Sequence, residues 1–338
     1  AQAGSSCRGI RSCRHLLMSG SLMMTRTAAE HIAEFEAAET PADAHEVVAA
    51  AVQPLFDEYR RKFAEVHGPE LHAEPGVNIV GGAGVFGNTR SGTPILSVTE
   101  GGVSMRFSID TKGDVAAEPG GVPLFICLHG GGQGDSTTND EQFGIMQTYW
   151  LRPLEVGVYV ACRGITNSWK LHWEDASFRL YDRIIERCIA LGNVNSNRVY
   201  IMGYSCGGDG VYRLVPGMPD RWAAGNMCAG HCYGMGDKSG CSHGNNVSFV
   251  NFQHVPMLLQ VGELDTAFDR HVITVRNSKT IQQFQDNECN NPLHAGYFNE
   301  ARVHVDAEHS YIKDWGQCAP LVKDNVAWES SGAASGSG

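Results

Sequence analysis

The chain has 338 residues, 42% of them hydrophobic and 19% charged, with 40 glycines, a balance that fits a globular core and excludes a collagen-like or wholly disordered chain. Its 37 acidic residues outnumber 26 basic ones, for a formal charge of −11, so no general affinity for nucleic acid is expected. No stretch reaches the roughly 18 consecutive apolar residues of a membrane-spanning helix, so no membrane span is expected.

The first 26 residues carry four arginines and no acid. They resemble the remnant of a targeting segment, without a clear cleavage pattern. Residues 28–67 have a helical composition, divided at Pro41, with Pro54 starting or kinking a second part. Residues 68–92 are Gly-rich and turn-like. Residues 1–90 therefore read as an N-terminal extension, helical and then linker-like. The main domain is expected over 91–329, and 330–338 as a flexible Ser/Gly tail.

Strands are expected at 95–98 and 103–109. A repeating order of apolar run, Gly-rich turn and helix follows. The runs are 123–128, 156–162, 198–203, 222–228, 255–261 and 301–305. Helices are expected at 141–151, 174–191, 207–217 and 270–287. Phe178, Tyr181, Ile184, Ile185, Cys188 and Leu191 form an apolar stripe on the second of these. Continuous apolar strands alternating with helices imply an α/β fold with a mostly parallel sheet covered on both faces. Sites in such sheets lie at the carboxyl ends of the strands.

The sharpest signal is Gly203-Tyr204-Ser205-Cys206-Gly207-Gly208, between an expected strand and an expected helix. That context is required of a nucleophile elbow, where a tight turn exposes the serine hydroxyl at a helix N-terminus. Ser205 is the candidate nucleophile. Cys206 is a rival thiol, but its place suits a backbone N–H in an oxyanion hole. Leu128-His129-Gly130-Gly131-Gly132 ends another strand and supplies the second donor, from Gly131 or Gly132. His129 is read as ordering that loop. A phosphate-binding turn is excluded because no Lys-Ser/Thr follows.

The partners of an elbow serine follow in the order acid, then histidine. Asp265, three residues beyond Gly262 on the loop leaving a strand, is the candidate acid, with Glu263 and Asp269 as rivals. Asp269 also suits a helix cap. Of 14 histidines, His309 follows the last expected strand and is the candidate base. His304 reads as structural, and His271 and His294 fit the order less well. Trp169, His172 and Trp173, beyond a strand end, are candidate substrate-binding residues. His231 joins them at the start of a long connection, 231–253, with the look of a lid. Lys170 and Arg163 read as surface charge.

There are 11 cysteines. Cys228, Cys232, Cys241, Cys289 and Cys318 read as loop staples, so disulfide bonds and a secreted or otherwise oxidising location are expected. Cys127 reads as a core thiol. Cys228, His231, Cys232, Cys241 and His243 also lie close enough for zinc, but the spacing is atypical and no metal is expected. No cofactor is expected either.

Across 203–210 and 220–224, with 128–132, 262–268 and His309, the sequence resembles the α/β-hydrolase superfamily. More narrowly it is similar to the polyhydroxybutyrate depolymerase and feruloyl-esterase-like serine esterases. The resemblance spans about residues 95–325. It implies an α/β-hydrolase fold and ester hydrolysis through an acyl-enzyme, with a small-molecule or polymeric ester as partner. Cys206 departs from the small residue usual after the nucleophile, and Glu308 stands where a Gly often precedes the histidine. A serine peptidase or amidase of the same fold, and a non-catalytic binding protein, are the alternatives. The oligomeric state is left open.

Overall fold

The computed structural model describes residues 33, 36–38, 40–67 and 95–309, apart from 119, 152–153, 235–245 and 289–295. Contacts divide the chain into one unit up to Val66 and a second from His67.

Among the described residues of the first unit, the helix α1 (Pro41–His67) runs through Pro54 without a break. Its start is set by Thr40 and Asp43. The Asp43 amide donates to Thr40 Oγ1 at 3.2 Å, and the Thr40 amide donates to Asp43 Oδ2 at 3.1 Å. This reciprocal box satisfies two amides that an uncapped helix leaves bare, and Pro41 fits the first helical position because it needs no donor there.

Among its described residues the second unit is built on an eight-stranded sheet, beside a short two-stranded pairing of Tyr233–Gly234 with Asn246–Val247. The strands of the main sheet are β1 (Ile95–Glu100), β2 (Val103–Lys112), β3 (Val122–Leu128), β4 (Gly157–Cys162), β5 (Val194–Tyr204), β6 (Ala224–Cys228), β7 (Met257–Gly262) and β8 (Asn299–His304). The spatial order is β1-β2-β4-β3-β5-β6-β7-β8. The pairings β1–β2 and β2–β4 are antiparallel, and the five from β4 to β8 are parallel. This is an α/β-hydrolase-type fold. Every residue of β3, β4, β6 and β7 is buried. Continuous apolar runs, rather than alternating ones, are what strands covered on both faces require.

The helices supply that cover. They are α2 (Ser136–Tyr149), α3 (Asp175–Leu191), α4 (Cys206–Gly217) and α5 (Arg270–Glu288). Phe125, Tyr159 and Tyr200 pack with Phe143 and Met146 of α2 and the adjoining Trp150. Val158 points the other way, into a space shared with Ile184 and Cys188 of α3. The stripe on α3 buries Tyr181, Ile184, Ile185 and Cys188, whereas Phe178 and Leu191 are only partly covered. Among the described residues no helix is long and apolar enough to cross a membrane.

Among the described residues the expectation of disulfide bonds is overturned. Cys127, Cys162, Cys188, Cys206, Cys228 and Cys232 are all buried, and none of them is in a disulfide. Cys228 closes β6 inside the sheet, with its Sγ 3.3 Å from Asn226 Oδ1, and Cys232 turns toward the Asp209 carbonyl. Both read as staples because they flank a loop, but their side chains point into the core. Cys241, Cys289 and Cys318 lie outside the described residues.

Candidate active site

The elbow serine sits where β5 turns into α4. Ser205 has φ 56° and ψ −119°, a backbone state that is strained for a residue with a Cβ. The surrounding hydrogen bonds hold it there. Its amide donates to the Cys228 carbonyl at 2.8 Å, and its carbonyl accepts from the Asp209 amide at 3.1 Å. The turn is tight enough that a Cβ on Gly203 would fall 2.0 Å from the Gly207 carbonyl oxygen, so only glycine fits there. The α4 N-terminus then lies directly behind the hydroxyl.

Three loops at the carboxyl ends of β5, β7 and β8 bring the expected side chains together. Ser205 Oγ is 3.0 Å from His309 Nε2, and His309 Nδ1 is 2.7 Å from Asp265 Oδ2. The Asp265 side chain is wholly buried, while His309 is 30% exposed. The rivals stand elsewhere. Glu263 is exposed and accepts from the Asp306 amide, Asp269 is exposed ahead of α5, and His304 is bonded to Gln260.

Cys206 is buried, and its Sγ lies 3.1 Å from the Trp169 carbonyl. Burial, reinforced by the Asp209 carboxylate, pushes its thiol well above the ordinary range. A thiol held protonated is a poor nucleophile, which removes Cys206 as a rival to Ser205.

The glycine loop after β3 is fastened by polar side chains. Asn139 of α2 accepts from the Gly132 amide at 3.1 Å and donates to the Gly132 carbonyl at 3.0 Å. The Gly132 amide is therefore committed to Asn139, which corrects its expected place as an oxyanion donor and leaves Gly131 as the candidate in this loop. Below it, His129 and His172 are fully buried with rings 4.7 Å apart. His129 Nε2 accepts from the Gly164 amide, so Nδ1 carries the proton and donates to the Gly130 carbonyl. His172 Nε2 donates to the His129 carbonyl at 2.9 Å, so its Nδ1 accepts from the Tyr181 hydroxyl at 2.8 Å. Both are neutral rings. Burial drives His129 well below the ordinary histidine value and His172 down to about 3.

His172 is thus a support of the loop and not a wall of the cleft, contrary to expectation. Its imidazole has no exposed surface, and both nitrogens are used within the protein. Arg163 is likewise not surface charge. It is buried, pairs with Asp140 at 2.7 Å, and donates to carbonyls of the 164–167 loop. Trp169 is partly exposed and meets Phe268 edge-on, with centroids 6.1 Å apart. His231 packs against the same ring at 5.1 Å, and its Nδ1 lies 2.8 Å from Asp209 Oδ2. Trp173 is partly buried in the Trp169 loop. Residues 235–245 of the connection expected as a lid lie outside the described residues, Cys241 and His243 among them. Among the described residues no three His, Cys, Asp or Glu side chains converge as a metal site.

Four residues at the site went unread in the sequence. Phe268, in a phrase already noted for its resemblance, faces Trp169 and His231. Tyr204, Asn139 and Arg270 touch the site through side-chain contacts that no local pattern marks.

No family model matches the sequence, and no curated protein matches it. Solved structures do share the fold. A poly(3-hydroxybutyrate) depolymerase from Bordetella parapertussis, LpqC, matches with a TM-score of 0.51 at 14% identity, over 69% of this chain and 89% of that one. A thermostable esterase matches at 0.47 and 20% identity, over 70% of this chain and 61% of its own. Enterochelin esterase from Shigella flexneri matches at 0.46 and 16% identity, over 70% and 59%. The chain spans less than two thirds of the last two proteins. At 14% identity, what the chain shares with the depolymerase is the α/β-hydrolase-type architecture.

Proposed function

We propose that the chain is a serine hydrolase of carboxylic esters. The observation that carries this reading is the hydrogen-bonded series Asp265–His309–Ser205, ending on a strained serine at a helix N-terminus. His309 takes the Ser205 proton as Oγ bonds to the ester carbonyl carbon. The carbonyl π electrons move onto oxygen, where the amides of Cys206 and Gly131 donate to it. As the tetrahedral adduct collapses, the bond to the alcohol oxygen breaks, and His309 returns the proton to the leaving alcohol. Water, deprotonated by His309, then releases the acid and restores Ser205. Asp265 holds the Nδ1 proton of His309 in place, which leaves Nε2 as the acceptor. The route uses no cofactor.

Trp169, Phe268 and His231 form the aromatic side of the site and are assigned to acyl or alcohol contact. Feruloyl esters and polyesters are the substrates for which such a wall is suited.

The experiment is a fluorophosphonate label followed by a panel of p-nitrophenyl acyl esters, feruloyl esters, polyesters and peptide amides, with Ser205→Ala as control. Labelling confined to Ser205 and ester turnover abolished by Ser205→Ala are expected. Amide turnover exceeding ester turnover would move the reading to a peptidase. Absence of both label and turnover would leave a hydrolase-fold binding protein.

A further inference from the structure

Asp265 has two carboxylate oxygens and two charged or chargeable neighbours. Oδ2 serves His309, and Oδ1 lies 3.3 Å from Arg270 Nη1. Burying a carboxylate is costly unless charge and hydrogen bonds compensate it. His309 is neutral when it is ready to accept a proton, so it supplies a hydrogen bond but no charge. Arg270 supplies the charge. Its own side chain is only 6% exposed.

Arg270 also braces the turn that carries the acid. Its Nη1 donates to the Ala267 carbonyl at 3.2 Å, and its guanidinium lies 4.8 Å from the centroid of the Phe268 ring. That turn contains two left-handed residues, Phe268 at φ 57° and Asp269 at φ 54°. Such a state is unfavourable for a bulky residue and needs contacts that hold it. The Arg270 Nε is buried with no acceptor among the described residues. A buried guanidinium that leaves a donor unsatisfied is a poor way to stabilise a fold. It is understandable as a device for the site.

We propose that Arg270 is a positioning residue that acts through Asp265, fixing Oδ1 so that Oδ2 faces His309. The proposal rests on the serine hydrolase reading. With the guanidinium gone, the carboxylate is anchored on one side only and turns away from Nδ1.

The test is a double-mutant cycle of Arg270→Met and Asp265→Asn on the best ester of the panel, with Arg270→Lys alongside. Arg270→Met is expected to lower kcat about tenfold with KM within about twofold, because misplacement affects the reacting geometry more than binding. Arg270→Lys should restore part of that loss. In the Asp265→Asn background the same change should cost less than about twofold, since the partner is already altered. A full, additive loss in that background overturns the proposal, and so does a rise in KM at constant kcat. A second readout needs neither turnover nor the methionine variant. The downfield proton resonance of His309 Nδ1 should shift or broaden in Arg270→Lys, and an unchanged resonance also overturns the proposal. Failure of the hydrolase reading itself appears separately, as a wild-type chain that turns over no ester and takes no label at Ser205.

Discussion

Tyr204 lays its ring against the His309 imidazole, with centroids 5.2 Å apart and planes 27° from parallel, and donates its hydroxyl to the His309 carbonyl. Tyr204 immediately precedes Ser205. One residue of the elbow therefore sets the backbone of the proposed nucleophile and also holds the proposed base. On its far side the ring stacks on Tyr149, with centroids 6.1 Å apart, which ties it to the end of α2.

Two substitutions separate these contacts. Tyr204→Phe keeps the stack and removes one hydrogen bond, worth about 1 kcal/mol. It should lower kcat/KM by about fivefold if that bond acts mainly on the placement of His309. Tyr204→Leu removes the stack as well and should lower it by a further factor of about five to ten. Fluorophosphonate labelling rates should fall in parallel. Equal labelling rates for wild type and Tyr204→Leu would show that His309 is held by other contacts.

The layout was legible where the physics is local. Continuous apolar runs mark strands that lie between two helical layers, and the eight strands of the main sheet fall where such runs, or the alternating pair ahead of them, stand. The juxtaposition of Ser205, Asp265 and His309 was legible for the same reason, since each follows the carboxyl end of a strand and a parallel sheet gathers those ends. What stayed hidden depends on contacts between distant segments. His172 looks like a rim residue in its loop, yet it is sealed between Tyr181 and the His129 carbonyl. Cys228 and Cys232 look like staples by spacing, because spacing carries no information on the direction of a side chain. Arg270 follows Asp265 by only five residues, and it is the left-handed turn at Phe268 and Asp269, which no residue pattern announces, that brings its guanidinium onto the Phe268 ring.

Gly132 links the glycine loop to the aromatic wall. Its φ is 127°, and a Cβ there would fall 2.4 Å from the Trp169 ring. Gly132→Ala meets both obstacles. The backbone strain costs about 1–3 kcal/mol, and the indole must move away from the loop. The expected outcome is a lower melting temperature together with a kcat/KM loss that persists well below it. Unchanged esterase activity in a folded Gly132→Ala variant would separate Trp169 and this loop from the reacting centre.

The two buried imidazoles give the fold a pH dependence whose sign follows from their hydrogen bonds. Both rings are neutral in the folded chain, and burial holds His172 down to about 3, against an ordinary value of 6.5. In the unfolded chain they take up protons as the pH falls through about 6.5. Between that point and about 3 the unfolded state binds more protons than the folded one, so stability is complete above pH 6.5 and is lost as the pH falls below it. His172 removes up to about 1.4 kcal/mol per pH unit in that window, and His129, also held below its ordinary value by burial, adds to the loss in the same direction. Urea unfolding at pH 7.5, 6.0 and 5.0 measures the slope. His172→Gln keeps a donor for the His129 carbonyl and an acceptor for Tyr181 but does not titrate. Its stability should start lower and then fall less steeply with acid, by about one proton per molecule. Parallel slopes for the two chains would mean that the His172 ring is protonated in the folded state, and the tautomer assigned from its two partners would be wrong.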